Sequence, residues 1–229
     1  MKDVAFGDVL KKLPLSLYYF AVGLAVGEVA GLLLYNINRA AYEYLLNLWS
    51  QRIFWGAPIF GVRNWFILNN LIAMFLIVAA TVIMMVLIFK RRKYQNRRFA
   101  LFEKHHPKIT LLSLYMVPIG ALIVNGFSLS FFLTYGLLKL GFQVFTTSVL
   151  LTLPHGINEI LGLLFATSLG LNYLDVLSPY IVRKQRAQAM RIGKKLLYSQ
   201  TTFFVFVFIV ILIIFSGFIE GNLTLQLLE

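Results

Sequence analysis

Apolar runs of span length, set apart by short clusters of Lys and Arg, recur from one end of this 229-residue chain to the other. That alternation restricts the fold more than any other feature. With 59% hydrophobic residues, the chain has more apolar surface than a soluble domain of its length can hide, so lipid is expected to be most of its solvent. Hydrocarbon offers the backbone no hydrogen-bond partner, which leaves helices that satisfy their own N–H and C=O groups. Lys and Arg number 21 against 9 Asp and Glu, a net charge of +12. Because the cations lie between the apolar runs, they are read as setting topology and meeting anionic lipid, with no nucleic-acid partner. The absence of cysteine excludes disulfides, thiolate chemistry and cysteine metal sites.

Taken in order, residues 1–14 read as an amphipathic segment on the cytoplasmic membrane surface. Residues 15–35 form a first, retained span, about 20 residues as a ~30 Å core requires. Gly23, Gly27 and Gly31 recur there every four residues, a smooth face for close helix approach, with Glu28 beside it and expected to look into the protein. Residues 36–64 suit an interfacial helix, with Ile37, Ala41, Tyr44, Leu45, Leu48 and Trp49 at helical spacing, broken by Gly56, Pro58 and Gly61. A second span covers 65–89. Eight basic residues and one acidic then lie between Lys90 and Lys108, a cytoplasmic loop in which His105 and His106 carry no specific role. Residues 109–124 form a third span, bent near Pro118 and Gly120, and 157–174 a return span started by Pro154.

Between those two, the runs on either side of Lys139 and Gly141 are too short to span, so 127–153 read as a pair of half-length helices. The last run, 201–218, is β-branched and aromatic and reads as a peripheral, lipid-facing span. Residues 175–200 are basic with an apolar stripe through Ile181, Met190 and Leu197, and are expected on the inner leaflet. The expected fold is therefore all-α: one integral membrane domain over 1–229, a polytopic transmembrane helical bundle of about five full spans plus a pair of half-length (re-entrant or broken) helices, with interfacial amphipathic helices. It belongs in the plasma membrane, with the N-terminus cytoplasmic and the C-terminus extracytoplasmic.

Threaded this way, the polar residues gather in the outer half of the membrane. Asn69 and Asn70 open the second span, Asn125 and Gly126 close the third, and Pro154, His155, Gly156, Asn158 and Glu159 open the return. Glu28 lies about 12 Å below the outer end of the first span. Ionisable groups at such depth are costly, and a common polar pocket is the simplest account. His155 and Glu159 are four residues apart on one helical face, so they can bond each other or grip a shared ligand. A mutually satisfied pair that fixes helix register, a solute or proton site, and a metal site completed by Glu28 are all open to that pattern. No nucleophile motif occurs, and no cofactor is implied.

The order of Asn69-Asn70, Asn125-Gly126 and Pro154-His155-Gly156 followed by Glu159 resembles the stage II sporulation protein M (SpoIIM-like) family. The resemblance runs over about Leu15 to Leu174. It implies a polytopic membrane protein without known enzymatic activity, and it implies that these signature residues belong to one site. The leading expectation is a non-enzymatic scaffold or assembly subunit, self-associating as a dimer and meeting other membrane proteins. Its water-facing segments are too short to fold alone. The alternative is a transporter or channel component using Glu28, His155 and Glu159 as a protonatable site.

Overall fold

The computed structural model describes residues 5–91 and 107–228. The basic loop with His105 and His106 lies largely outside them. Eight helices follow one another in the described residues: α1 (Phe6–Ile37), α2 (Arg39–Phe54), α3 (Ala57–Phe60), α4 (Val62–Arg91), α5 (Pro107–Leu140), α6 (Phe142–Val182), α7 (Arg186–Leu197) and α8 (Gln200–Leu228). No strand occurs among them. Four stretches are long and apolar enough to cross a membrane: Phe6–Ile37, Lys108–Leu140, Gly156–Val182 and Gln200–Ile219. A shorter apolar stretch, Asn64–Ala80, lies on α4.

Contacts fix the relative directions. The register Gly23 to Ile123, Gly27 to Phe127 and Gly31 to Thr134 makes α1 and α5 parallel. Ser16 meets Ser168 at 2.9 Å and the Asn172 amide donates to the Asp8 carbonyl at 2.8 Å, so α6 runs against α1. Gly217 meets Ile67 while Tyr173 bonds Thr202, which turns α8 against both α4 and α6. The long helices thus alternate up, down, up, down, up. In α6, 78% of the apolar window is buried, against 22% in α1, so α6 is the axis and α1 a flank. Leu163, Leu164, Ala166, Leu169, Leu174 and Leu177 form its core face.

The α1–α5 seam is backbone against backbone. A Cβ on Gly27 would stand 2.8 Å from the Phe127 Cα, and one on Gly23 would stand 2.9 Å from the Ile123 Cα. Gly126 answers from the other side, where a Cβ would come within 3.0 Å of the Leu24 nitrogen. The glycine ladder therefore packs as its spacing suggested.

Several boundaries differ from the expectation. Residues 6–14 are no separate surface helix: α1 runs through Pro14, with Val9 buried in the core and Phe6 stacked on Phe165. The half-length pair is instead the far end of α5 and the near end of α6. Gly141, at φ 83°, turns between them as expected, but neither helix breaks at Asn125-Gly126 or at Pro154-His155. Polar side chains in α5 bond carbonyls of their own helix, Asn125 to Ala121, Ser128 to Val124 and Thr134 to Ser130, which keeps them compatible with a continuous helix. The last span is not wholly peripheral, because Thr202, Val205, Ile209, Ile213 and Ser216 are buried along one stripe.

Beyond α1, α2 folds back on the α5 extension. Asn38 caps it by accepting from the Ala41 N–H at 3.0 Å. Tyr42 and Leu46 are buried against Phe131, and the Tyr42 hydroxyl donates to the Phe131 carbonyl at 2.5 Å. Tyr44, Leu45 and Leu48, expected on the membrane-facing stripe, are exposed. Gly56 and Gly61 then flank the single turn of α3.

Candidate functional site

Two carboxylates mark the same height. Lys12 and Asp175 form an ion pair at 2.5 Å, to which the Tyr115 hydroxyl also donates at 2.6 Å. Glu28 lies sixteen residues from Lys12 along α1, and Glu159 sixteen from Asp175 along α6, about 24 Å in each helix. Their surroundings differ.

Glu159 is half-buried at the junction of α4, α6 and α8. Its Oε1 accepts from the Asn70 amide at 2.5 Å and from the Ser216 hydroxyl at 3.3 Å. One turn toward the Lys12 end, Gly162 lets Ile209, Ile213 and Met74 close beneath the cluster. A carboxylate among an amide and a hydroxyl can hold a proton, accept from a small donor, or fix the register of three helices. The sequence puts Asn70 and Glu159 in one pocket but pairs Glu159 with His155, and gives no place to Ser216. The available signal was the small pair Ser216-Gly217 continuing the four-residue stripe of Val205, Ile209 and Ile213.

The other residues of the expected pocket do not all join it. Glu28 is exposed, because Gly23, Gly27 and Gly31 occupy the inward side of α1 and Glu28 is turned about 100° from Gly27. Asn125 is exposed and donates to its own helix, and Gly126 serves the seam with α1. Asn69, one residue before Asn70, and Asn158, one before Glu159, are half-buried. Gly156 is half-buried with open space where a Cβ would stand. Pro154 and His155 are carried in the unbroken α6, and their side chains fall outside the described set. Among the described residues no three His, Asp or Glu side chains come together in a way that could hold a metal.

At the opposite end from Lys12, a second polar group pins α2 to α5. Glu43 Oε1 receives Arg39 Nε at 3.3 Å, Lys139 Nζ at 3.2 Å and the Tyr135 hydroxyl at 3.2 Å. These donors, Lys139 first, hold the Glu43 carboxyl below its ordinary range. Burial pushes the adjacent Tyr42 phenol up to about 12. Compared with known proteins, the chain matches no family model, no curated protein and no solved structure.

Proposed function

We propose that this chain is a non-enzymatic, multi-pass membrane assembly subunit, SpoIIM-like in its polar signature, that associates with a second copy through the face of α1 bearing Glu28. One observation carries the reading: an exposed carboxylate at the height of the Glu159 cluster, on a helix apolar enough to lie in hydrocarbon. Such a group is costly against acyl chains and calls for another helix. Ala21 and Ala25, also exposed, continue the same stripe and let a partner backbone come close. Two copies related by a two-fold axis would bring their Glu28 side chains together, away from the acyl chains. The cationic clusters at the Lys12 end favour a cytoplasmic location for that end, with α4 completing five spans and the α5–α6 turn outside.

The test uses the native absence of cysteine. Ala25→Cys and Leu32→Cys, each introduced singly, are expected to give disulfide-linked dimers in native membranes, and Glu28→Leu to weaken the association about tenfold. A monomeric wild-type chain with no cross-link from either position would overturn the reading.

A transport role is the second reading, favoured by the half-buried Glu159 with its Asn70 and Ser216 partners inside the bundle. It predicts proton-linked solute flux in liposomes that Glu159→Gln removes. Flux from wild type that survives this substitution sinks it, as does the lack of any flux.

A further inference from the structure

The apolar stripe of α7 faces protein rather than the inner leaflet. Ala189, Ile192 and Leu196 are buried in the same core as Tyr173, Leu177 and Ile181, and Met190 and Leu197 pack partly against it. The Tyr173 hydroxyl donates to the Leu196 carbonyl at 3.2 Å. With its apolar side packed, α7 leaves Arg191, Lys194 and Lys195 exposed on the other. The turn leading into it is fixed as well, because the Gln185 N–H donates to the Tyr180 carbonyl at 2.8 Å.

Between α7 and the end of α6 lies a recess of about 440 Å³, lined by Tyr180, Gln188, Arg191, Ile192 and Lys195. Gln188, Arg191 and Lys195 follow at helical spacing, so an amide, a guanidinium and an ammonium line the same recess, with Ile192 among them and Tyr180 from α6. Among the described residues the lining holds no acid. Of the described acids, Asp175 is engaged with Lys12 and Tyr115, and Asp8 with Lys11. Among the described residues no carboxylate forms an ion pair with Arg191 or Lys195.

We infer that this recess binds the phosphate of an anionic phospholipid headgroup. A guanidinium fork beside a mobile ammonium suits phosphate oxygens, and neutral donors can complete the shell. The volume lies in the ~300–1,000 Å³ range of small-molecule sites, more than a bare phosphate ion fills, which favours a headgroup. The recess also sits at the Lys12 end of the bundle, where the net cationic charge would meet an anionic leaflet.

The full-length chain, purified in a neutral detergent, is titrated with dioctanoyl phosphatidylglycerol, dioctanoyl phosphatidylcholine and inorganic phosphate. Phosphatidylglycerol is expected to bind and the other two to bind at least tenfold more weakly. The Arg191→Gln/Lys195→Gln variant is expected to lose roughly thirtyfold in affinity, whereas Arg183→Gln/Lys184→Gln, equal in charge change but outside the recess, loses little. Gln188→Glu, which leaves both cations in place, is expected to abolish binding by putting a carboxylate in the lining. Equal losses in the two double variants would reduce the effect to general surface charge and overturn the site. Inorganic phosphate or phosphatidylcholine binding as tightly as phosphatidylglycerol would overturn the assignment to an anionic lipid.

Discussion

The wall of α1 around Glu28 and the α4–α6–α8 junction around Glu159 share a depth and little else. At the junction, three helices converge and the carboxylate is met by an amide and a hydroxyl. On the wall, glycines take the inward positions and turn the carboxylate outward. Depth follows from counting residues along an apolar helix, but direction is decided by which neighbours need the packed side. An acidic residue in a span is therefore no guide to an internal pocket until the packed face of its helix is known.

The largest effect that bears on this contrast is expected at Gly27. A leucine there would drive its side chain into the Phe127 backbone and push α1 off α5, costing about 3 kcal/mol or more. Thermal unfolding in nanodiscs checks this, with Gly156→Ala as the neutral counterpart because its Cβ meets open space. Gly27→Leu melting like Gly156→Ala would mean that the seam is not what orients Glu28.

Next in size is the difference between the carboxylates themselves. Glu159→Ala leaves Asn70 and Ser216 without their shared acceptor and is expected to destabilise by about 1–2 kcal/mol. Glu28→Ala is expected to leave the unfolding of the single chain near wild type while reducing association. Equal melting losses from both substitutions would erase the contrast.

The smallest effect concerns Glu43, a partly exposed carboxylate, which sharpens the comparison by supplying a case where the pairing is open to screening. Its folded-state pKa is lowered, so its contribution is present above the ordinary carboxylate value of 4.5 and fades as pH falls through and below it. Trp49, which packs on Phe127, Phe131 and Phe132, reports the docking of α2. A slight emission change confined to acid pH is expected, and Glu43→Gln should show the acid spectrum at neutral pH. An acid transition that persists unchanged in Glu43→Gln would assign it to another group.

The sequence made the helical class, the glycine seam and the turn at Gly141 legible, because each rests on a local rule: backbone satisfaction in lipid, four-residue spacing, or freedom at positive φ. Helix continuity was not legible. The lengths of apolar runs suggested breaks at Asn125-Gly126 and before His155, yet helices outlast the apolar stretch when polar side chains bond their own carbonyls, as Asn125 and Ser128 do. In the candidate site, the partner expected for Glu159 was His155, whereas a shared pocket for Asn70 and Glu159 followed from the expectation that isolated polar groups in lipid seek one another. Ser216 did not, because a lone serine among branched and aromatic residues carries no charge to require a partner. The outward turn of Glu28 depended on tertiary packing that no local pattern records.

The seam between α1 and α5 also sets an order of events during synthesis. Gly23 finds its place against Ile123, a hundred positions further along the chain. At about 5–20 residues per second, the first helix waits roughly 5–20 s before its mate is made. Throughout that interval its bare ridge of hydrogens is open to any helix within reach, so an insertion factor that shields it briefly would raise the yield of correctly paired chains.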